Sequence, residues 1–91
     1  MKEKLLRIIQ HYGLSHQQRK LEEEVYELQE AIIKGDDKEH IAEELADVGV
    51  LLMQITNYFK IDVPSIDKIM EMKIDRQIER IKNEKHDHMA K

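Results

Sequence analysis

Glu24-Val25-Tyr26-Glu27 and Glu44-Leu45-Ala46-Asp47 are two acidic pairs with the same i,i+3 spacing, and Gly35-Asp36-Asp37 lies between them. Residues three apart on a helix sit about 60° apart around its axis, so each pair shares one helical face. The Gly-Asp-Asp stretch predicts a helix stop followed by a new cap, which turns the chain back on itself. If the two helices pack antiparallel, four carboxylates converge on a small volume. At a separation of ~5 Å and an effective dielectric of ~20, two unit charges repel by about 3 kcal/mol. Four such groups require cations. Hard, oxygen-preferring Mg²⁺ suits an all-carboxylate set, and Mg²⁺ held by carboxylates commonly also binds substrate phosphate.

Working outward from these pairs, the periodicity predicts four helices and an all-α fold. The first covers residues 2–12, with Leu5, Ile8, Ile9 and Tyr12 as its buried stripe, and Gly13 ends it. Ser15 is the expected cap of the second, which reaches Lys34 with Leu21, Val25, Leu28 and Ile32 inward. Gly35 stops it, and Asp36 or Asp37 caps the third, which runs to about Phe59. Ile41, Leu45, Val48, Leu52, Ile55 and Phe59 form one apolar line of that helix, and Ala42, Ala46, Gly49, Met53 and Thr56 a second. On this pattern both acidic pairs border the core, one residue away from its apolar lines. Beyond Asp47 the third helix is apolar nearly all round, which points to burial on several sides and to a helix interface with a second copy. Gly49, unfavourable in a helix interior by about 1 kcal/mol relative to Ala, would allow close approach there. Residues 61–64 are expected as a connector. Ser65 is the expected cap of the last helix, whose apolar positions are Ile66, Ile69, Met70, Ile74, Ile78 and Ile81. The polar tail, residues 84–91, is expected to fray.

Composition bounds the function. Ninety-one residues make one domain with a small core, a size that often gains stability by oligomerising. A homodimer or homotetramer is expected. There is no cysteine, so neither a disulfide framework nor a thiolate metal site is available. Met1-Lys2-Glu3-Lys4 leads into an amphipathic pattern rather than a signal peptide, and the longest apolar run, residues 48–53, cannot span a membrane. A soluble cytoplasmic protein without membrane association is expected. The net charge of −4 argues against binding nucleic acid through a basic surface.

With 19 acidic residues, pairs at i,i+3 arise by chance as ordinary surface acids. The local sequence is more telling. Asp47 leads directly into an apolar stretch, where an unneutralised carboxylate is costly. Glu23-Glu24-Val25-Tyr26-Glu27-Leu28, then sixteen residues after Glu27, then Glu44-Leu45-Ala46-Asp47-Val48, resembles the ExxE…ExxD signature of the all-α nucleoside triphosphate pyrophosphohydrolases, the MazG-like superfamily. That superfamily includes dimeric dUTPases and phosphoribosyl-ATP pyrophosphohydrolases. Gly13, Gln17 and Lys20 resemble the lead-in of its small members. The likeness covers about residues 13–81 and implies a four-helix MazG-like bundle completed by oligomerisation.

The resemblance implies Mg²⁺ ligation and catalysis by Glu24, Glu27, Glu44 and Asp47. It implies cleavage of a (d)NTP to a (d)NMP and pyrophosphate, or of phosphoribosyl-ATP by the same metal chemistry. A catalytically silent helical dimer that binds a nucleotide or a protein is the alternative from another class. Glu23, a neighbouring carboxylate, would orient a water or remain a solvated acid. Lys20, one turn before Glu24, can pair with it or reach phosphate. Lys73, Arg76 and Arg80 form a basic strip on the last helix. Relatives often carry Lys and Asn or Arg near there for phosphate, but the Lys-x-x-Asn form is absent, and Asp75, Arg76 and Gln77 stand in its region. Some relatives stack the base on an aromatic one turn after the ExxD Asp, where this chain has Leu51. Tyr12, Tyr26, Tyr58 and Phe59, the only aromatics of the Phe/Trp/Tyr class, read as core. His40, one turn before Glu44, reads as a helix-start residue beside a carboxylate. His86-Asp87-His88 has the spacing of a chelate in the tail, and the positions of His11 and His16 suggest no role.

Overall fold

The computed structural model describes residues 1–90, with side chains through Glu84. Four helices follow one another, α1 (Lys2–Tyr12), α2 (Leu14–Lys34), α3 (Lys38–Tyr58) and α4 (Val63–Ala90), and no strand occurs among the described residues. The expected all-α class and helix count are met. The chain divides into two compact units, Met1–Lys60 and Ile61–Lys91.

In the first unit α2 and α3 form the principal pair, with α1 packed on α3 and against α2. Two glycines set its corners. Gly13, at φ 90°, closes α1 with its N–H on the Ile9 carbonyl and opens α2 with its own carbonyl, which accepts from Gln17 N–H. Ser15, expected to cap α2, instead lies inside its first turn, and no side chain caps that end. A one-residue corner leaves no room for a separate capping residue. Gly35 ends α2 in the left-handed conformation at φ 70°, a region that side chains with a Cβ disfavour. The Asp37 side chain caps α3 by accepting from His40 N–H at 2.9 Å.

The buried lines differ from the expected ones. On α2 the inward positions are Gln17, Leu21, Glu24, Leu28 and Ala31, while Val25 and Ile32 are exposed. On α3 they include Ile41, Glu44, Val48, Leu51 and Gln54, while Leu45, Leu52 and Phe59 are exposed. Ile8 and Tyr12 of α1 also face out, leaving Leu5 and Ile9 buried. Each line has rotated toward its polar flank, so Glu24 and Glu44 occupy core-line positions rather than bordering them. Val50 and Leu52 in the all-round apolar stretch are exposed, and a Cβ built on Gly49 meets nothing within 4 Å. Among the described residues, no neighbour requires that glycine.

In the second unit, α4 begins earlier than the expected Ser65 cap. Asp62 precedes its first residue and accepts from Ser65 N–H at 3.1 Å and from the Ser65 hydroxyl at 2.9 Å. Ser65 is therefore the donor of the cap, and Pro64 lies within the first turn, where its missing N–H costs little. These bonds hold the Asp62 carboxyl below its ordinary range, the Ser65 hydroxyl contributing most. Ile69, Met70, Ile74, Ile78 and Ile81 are exposed along α4. α4 runs to Ala90. The His86/His88 chelate lies outside the described side chains.

Candidate metal and phosphate site

Antiparallel packing of α2 on α3 brings the two acidic pairs together. Gln17 lies two turns before Glu24, Gln54 two turns after Asp47, and the Gln17 amide donates to Gln54 Oε1 at 2.9 Å between the two helices. That buried bond fixes the register that also sets Glu24 opposite the Glu44–Asp47 pair. Carboxylate oxygens of Glu24, Glu44 and Asp47 lie within 4.8 Å of one another. Glu24 is 8% exposed, and Glu44 is half-buried.

The partners of these acids are one-sided. Glu24 Oε1 faces Lys20 Nζ at 3.4 Å, and Glu44 Oε1 faces His40 Nε2 at 3.6 Å. Among the described residues, Glu24 Oε2 and Glu44 Oε2 are buried without any hydrogen-bond partner. Burying a carboxylate oxygen without a donor is strongly unfavourable, so both atoms fit ligation of a cation. The donor set is hard oxygen throughout, which suits a divalent ion of the Mg²⁺ class.

Glu27 stands on the exposed edge of this group. The neighbouring Glu24 carboxyl, through hydrogen bonding and then through its negative charge, pushes the Glu27 carboxyl above its ordinary range. Desolvation and the charge of Glu44 push the same way, while Lys20 opposes them. Lys20 itself is raised by its bond to Glu24 and by the charges of Glu24 and Glu23. Glu23, 3.7 Å from Lys20, is a solvated acid on this rim. His40 bridges Asp36, at 3.5 Å, and Glu44, the carboxylate one turn after it. Lys73, Arg76 and Arg80 are carried by α4 in the second unit.

Several features escape a reading of periodicity. Gln17 and Gln54, 4% and 2% exposed, form the buried polar core of the α2–α3 pair. His16 Nδ1 donates to Gln17 Oε1 at 2.8 Å, and its ring stacks on Tyr12 at 5.0 Å with an interplanar angle of 17°. His11 meets the edge of Tyr12 at 4.8 Å. Tyr12, Tyr26, Tyr58 and Phe59 are all exposed rather than core, whereas Leu51 is buried. Asn57 Nδ2 is also buried without a hydrogen-bond partner among the described residues. A cavity of about 470 Å³, lined by Tyr12, His16, Gln17, Arg19, Lys20 and Glu23, adjoins Glu24 through Lys20.

No curated protein and no solved structure shows significant similarity to the chain. The sequence profile of the MazG nucleotide pyrophosphohydrolase domain matches residues 14–83. That match includes both acidic pairs, Lys20, and the basic strip of α4, and extends over most of the chain. The clustered carboxylates therefore sit in a protein that belongs to the MazG nucleotide pyrophosphohydrolase family.

Proposed function

We propose that this protein is an Mg²⁺-dependent nucleotide pyrophosphohydrolase that cleaves a (d)NTP to a (d)NMP and pyrophosphate. The observation that carries the reading is the convergence of Glu24, Glu44 and Asp47 oxygens, together with Glu24 Oε2 and Glu44 Oε2 buried without a partner among the described residues. Glu24, Glu44 and Asp47 would hold the ion, with Glu27 joining them on the outer edge. A bound divalent ion supplies charge neutralisation for the phosphates and acidifies a water. In the overall reaction, water adds its oxygen to the α-phosphorus as the bond to the bridging oxygen breaks, and its hydrogens are shared between the monophosphate and pyrophosphate. Lys20, held by Glu24 beside the cavity, provides positive charge at the phosphate end.

Lys73 and Arg76 complete the proposed phosphate-binding set. Their support is the basic strip and its inclusion in the family match. That match crosses the boundary between the two units, which supports treating residues 1–91 as one functional domain. Exposed Val25, Leu45 and Leu52 on the first unit and the exposed isoleucines of α4 support a homodimer or homotetramer as the working form. No described helix is long and apolar enough to cross a membrane. A cytoplasmic setting and the absence of a nucleic-acid partner belong to the same proposal, the latter supported by the acidic net charge.

The deciding experiment measures pyrophosphate release from a panel of (d)NTPs and phosphoribosyl-ATP with and without Mg²⁺. Turnover on one or more (d)NTPs, lost with chelator and in Asp47→Asn, is expected. Turnover on phosphoribosyl-ATP alone would replace the substrate class. Nucleotide binding without turnover on any of them would make the protein a silent binder.

A further inference from the structure

The cavity beside the acidic cluster has walls that metal and phosphate binding do not use. Tyr12 ends α1, and Gly13 allows α2 to start one residue later, so the His16 ring returns over the Tyr12 ring. The two rings lie nearly parallel at 5.0 Å, yet Tyr12 remains 54% exposed. Tyr12 thus leaves much of its surface in water at the edge of a cavity of about 470 Å³, within the range typical of small-molecule sites. Near-parallel aromatic rings accept a further flat ring by continued stacking, whatever its hydrogen-bonding edge.

Hydrogen bonds hold this wall in place. Gln17 is buried, and its amide nitrogen donates to Gln54 Oε1, so the orientation of its amide is set by α3. Gln17 Oε1 is then an acceptor and takes its hydrogen bond from His16 Nδ1 at 2.8 Å. In the neutral ring this places the proton on Nδ1 and leaves Nε2 as an acceptor. The same Gln17–Gln54 bond that sets the α2–α3 register therefore also orients a cavity-lining ring.

The far wall leads to the acids. Lys20 lines the cavity and touches Glu24. From His16 to Glu24 is two turns of one helix, a rise of about 12 Å, which a sugar and its phosphates can bridge.

We propose that the Tyr12–His16 stack, oriented by Gln17, is the nucleoside subsite: a purine or pyrimidine base stacks on the exposed aromatic surface while the phosphates extend past Lys20 to Glu24, Glu44 and Asp47. This rests on the phosphohydrolase reading of the acidic cluster and adds to it where the base lies. Leu51, at the position where some members of the superfamily carry a stacking aromatic, is buried in the core and offers no such surface. The subsite reads a flat ring and supplies one oriented acceptor.

The test is a binding titration of the full chain in Mg²⁺, followed by NMR, with a (d)NMP panel and with inorganic pyrophosphate. Nucleoside monophosphates are expected to shift the Tyr12 and His16 ring resonances upfield, and pyrophosphate is expected to leave them in place. Tyr12→Leu should weaken nucleotide binding by about 10-fold or more without changing pyrophosphate affinity, and Tyr12→Phe should restore nucleotide binding. Tyr12 is exposed, so Tyr12→Leu should fold, as helix content by circular dichroism would verify. If Tyr12→Leu and His16→Leu bind nucleotides like the wild type while pyrophosphate also binds, the subsite is wrong and the phosphohydrolase reading stands. If neither ligand binds the wild type in Mg²⁺, both fall.

Discussion

At the scale of single residues, the acidic cluster is held together against its own repulsion. Glu44→Gln and Asp47→Asn each remove a like charge from a group whose oxygens converge within 4.8 Å. Both variants should melt at a higher temperature than the wild type in metal-free buffer, and both should lose turnover with Mg²⁺. Wild-type turnover in the pair would remove these acids from the site. The raised Glu27 carboxyl gives a pH signature. Between the ordinary glutamate value, 4.5, and its raised folded value, the folded state binds more protons than the unfolded state. Stability without metal should therefore decline as pH rises through that window, and Glu27→Gln should abolish that part of the decline. Chemical denaturation at a series of pH values measures it. Gln17 and Gln54 pose a different problem, because removing one leaves the other buried without a partner. Gln17→Leu should cost about 1–3 kcal/mol, and the double change to Leu should cost less than the two single effects added. Additive losses in a double-mutant cycle would mean that the bond does not couple the helices.

At the scale of elements, capping decides where each helix starts. Asp37 caps α3 through His40 N–H, directly before the turn that carries His40 and Glu44. Asp37→Ala should cost about 1 kcal/mol, as thermal or chemical unfolding would register. A larger loss of Mg²⁺ affinity than of stability would show that the first turn of α3 positions Glu44. The α1–α2 corner is the other constraint. Gly13 holds φ 90° with open space around it, so a substitution there meets backbone strain rather than a clash.

For the whole molecule, exposed apolar surface is the feature that bears on assembly. Val25, Ile32, Leu45, Leu52 and Phe59 are exposed in the first unit, and α4 exposes a line of isoleucines and methionines. Such exposure is uncommon for a small monomer and fits assembly with further copies. Sedimentation at micromolar concentration should give a dimer or tetramer, and a folded, active monomer would overturn this. Gly49→Leu tests the interface separately. The chain has room for a Cβ there, so loss of assembly with retained helix content would place a partner helix against Gly49.

Much of this was legible in the sequence because it depends on local chemistry. Helix-stop Gly35, the Asp37 cap, the i,i+3 acids and the Lys20–Glu24 pair each follow from spacing along one helix, which backbone geometry dictates. The family signature rests on the same residues, and so does the expectation of an all-α chain. Which side of each helix turns inward was decided by the tertiary structure. Periodicity drew the core through Val25, Ile32, Leu45 and Leu52 because they are the most apolar residues, but the packed α2–α3 pair buries Gln17, Glu24 and Gln54 instead. A hydrophobic pattern counts transfer from water one residue at a time. It cannot register that Gln17 and Gln54 satisfy each other across 37 positions of chain, or that this bond sets the register in which the carboxylates meet. The stacking of Tyr12 on His16 escaped for the same reason, since it depends on a one-residue corner at Gly13. The sequence alone named the acids and the spacing that pairs them. Only the packing of α2 against α3 placed Glu24 opposite Glu44 and Asp47 and left two of their oxygens buried without partners.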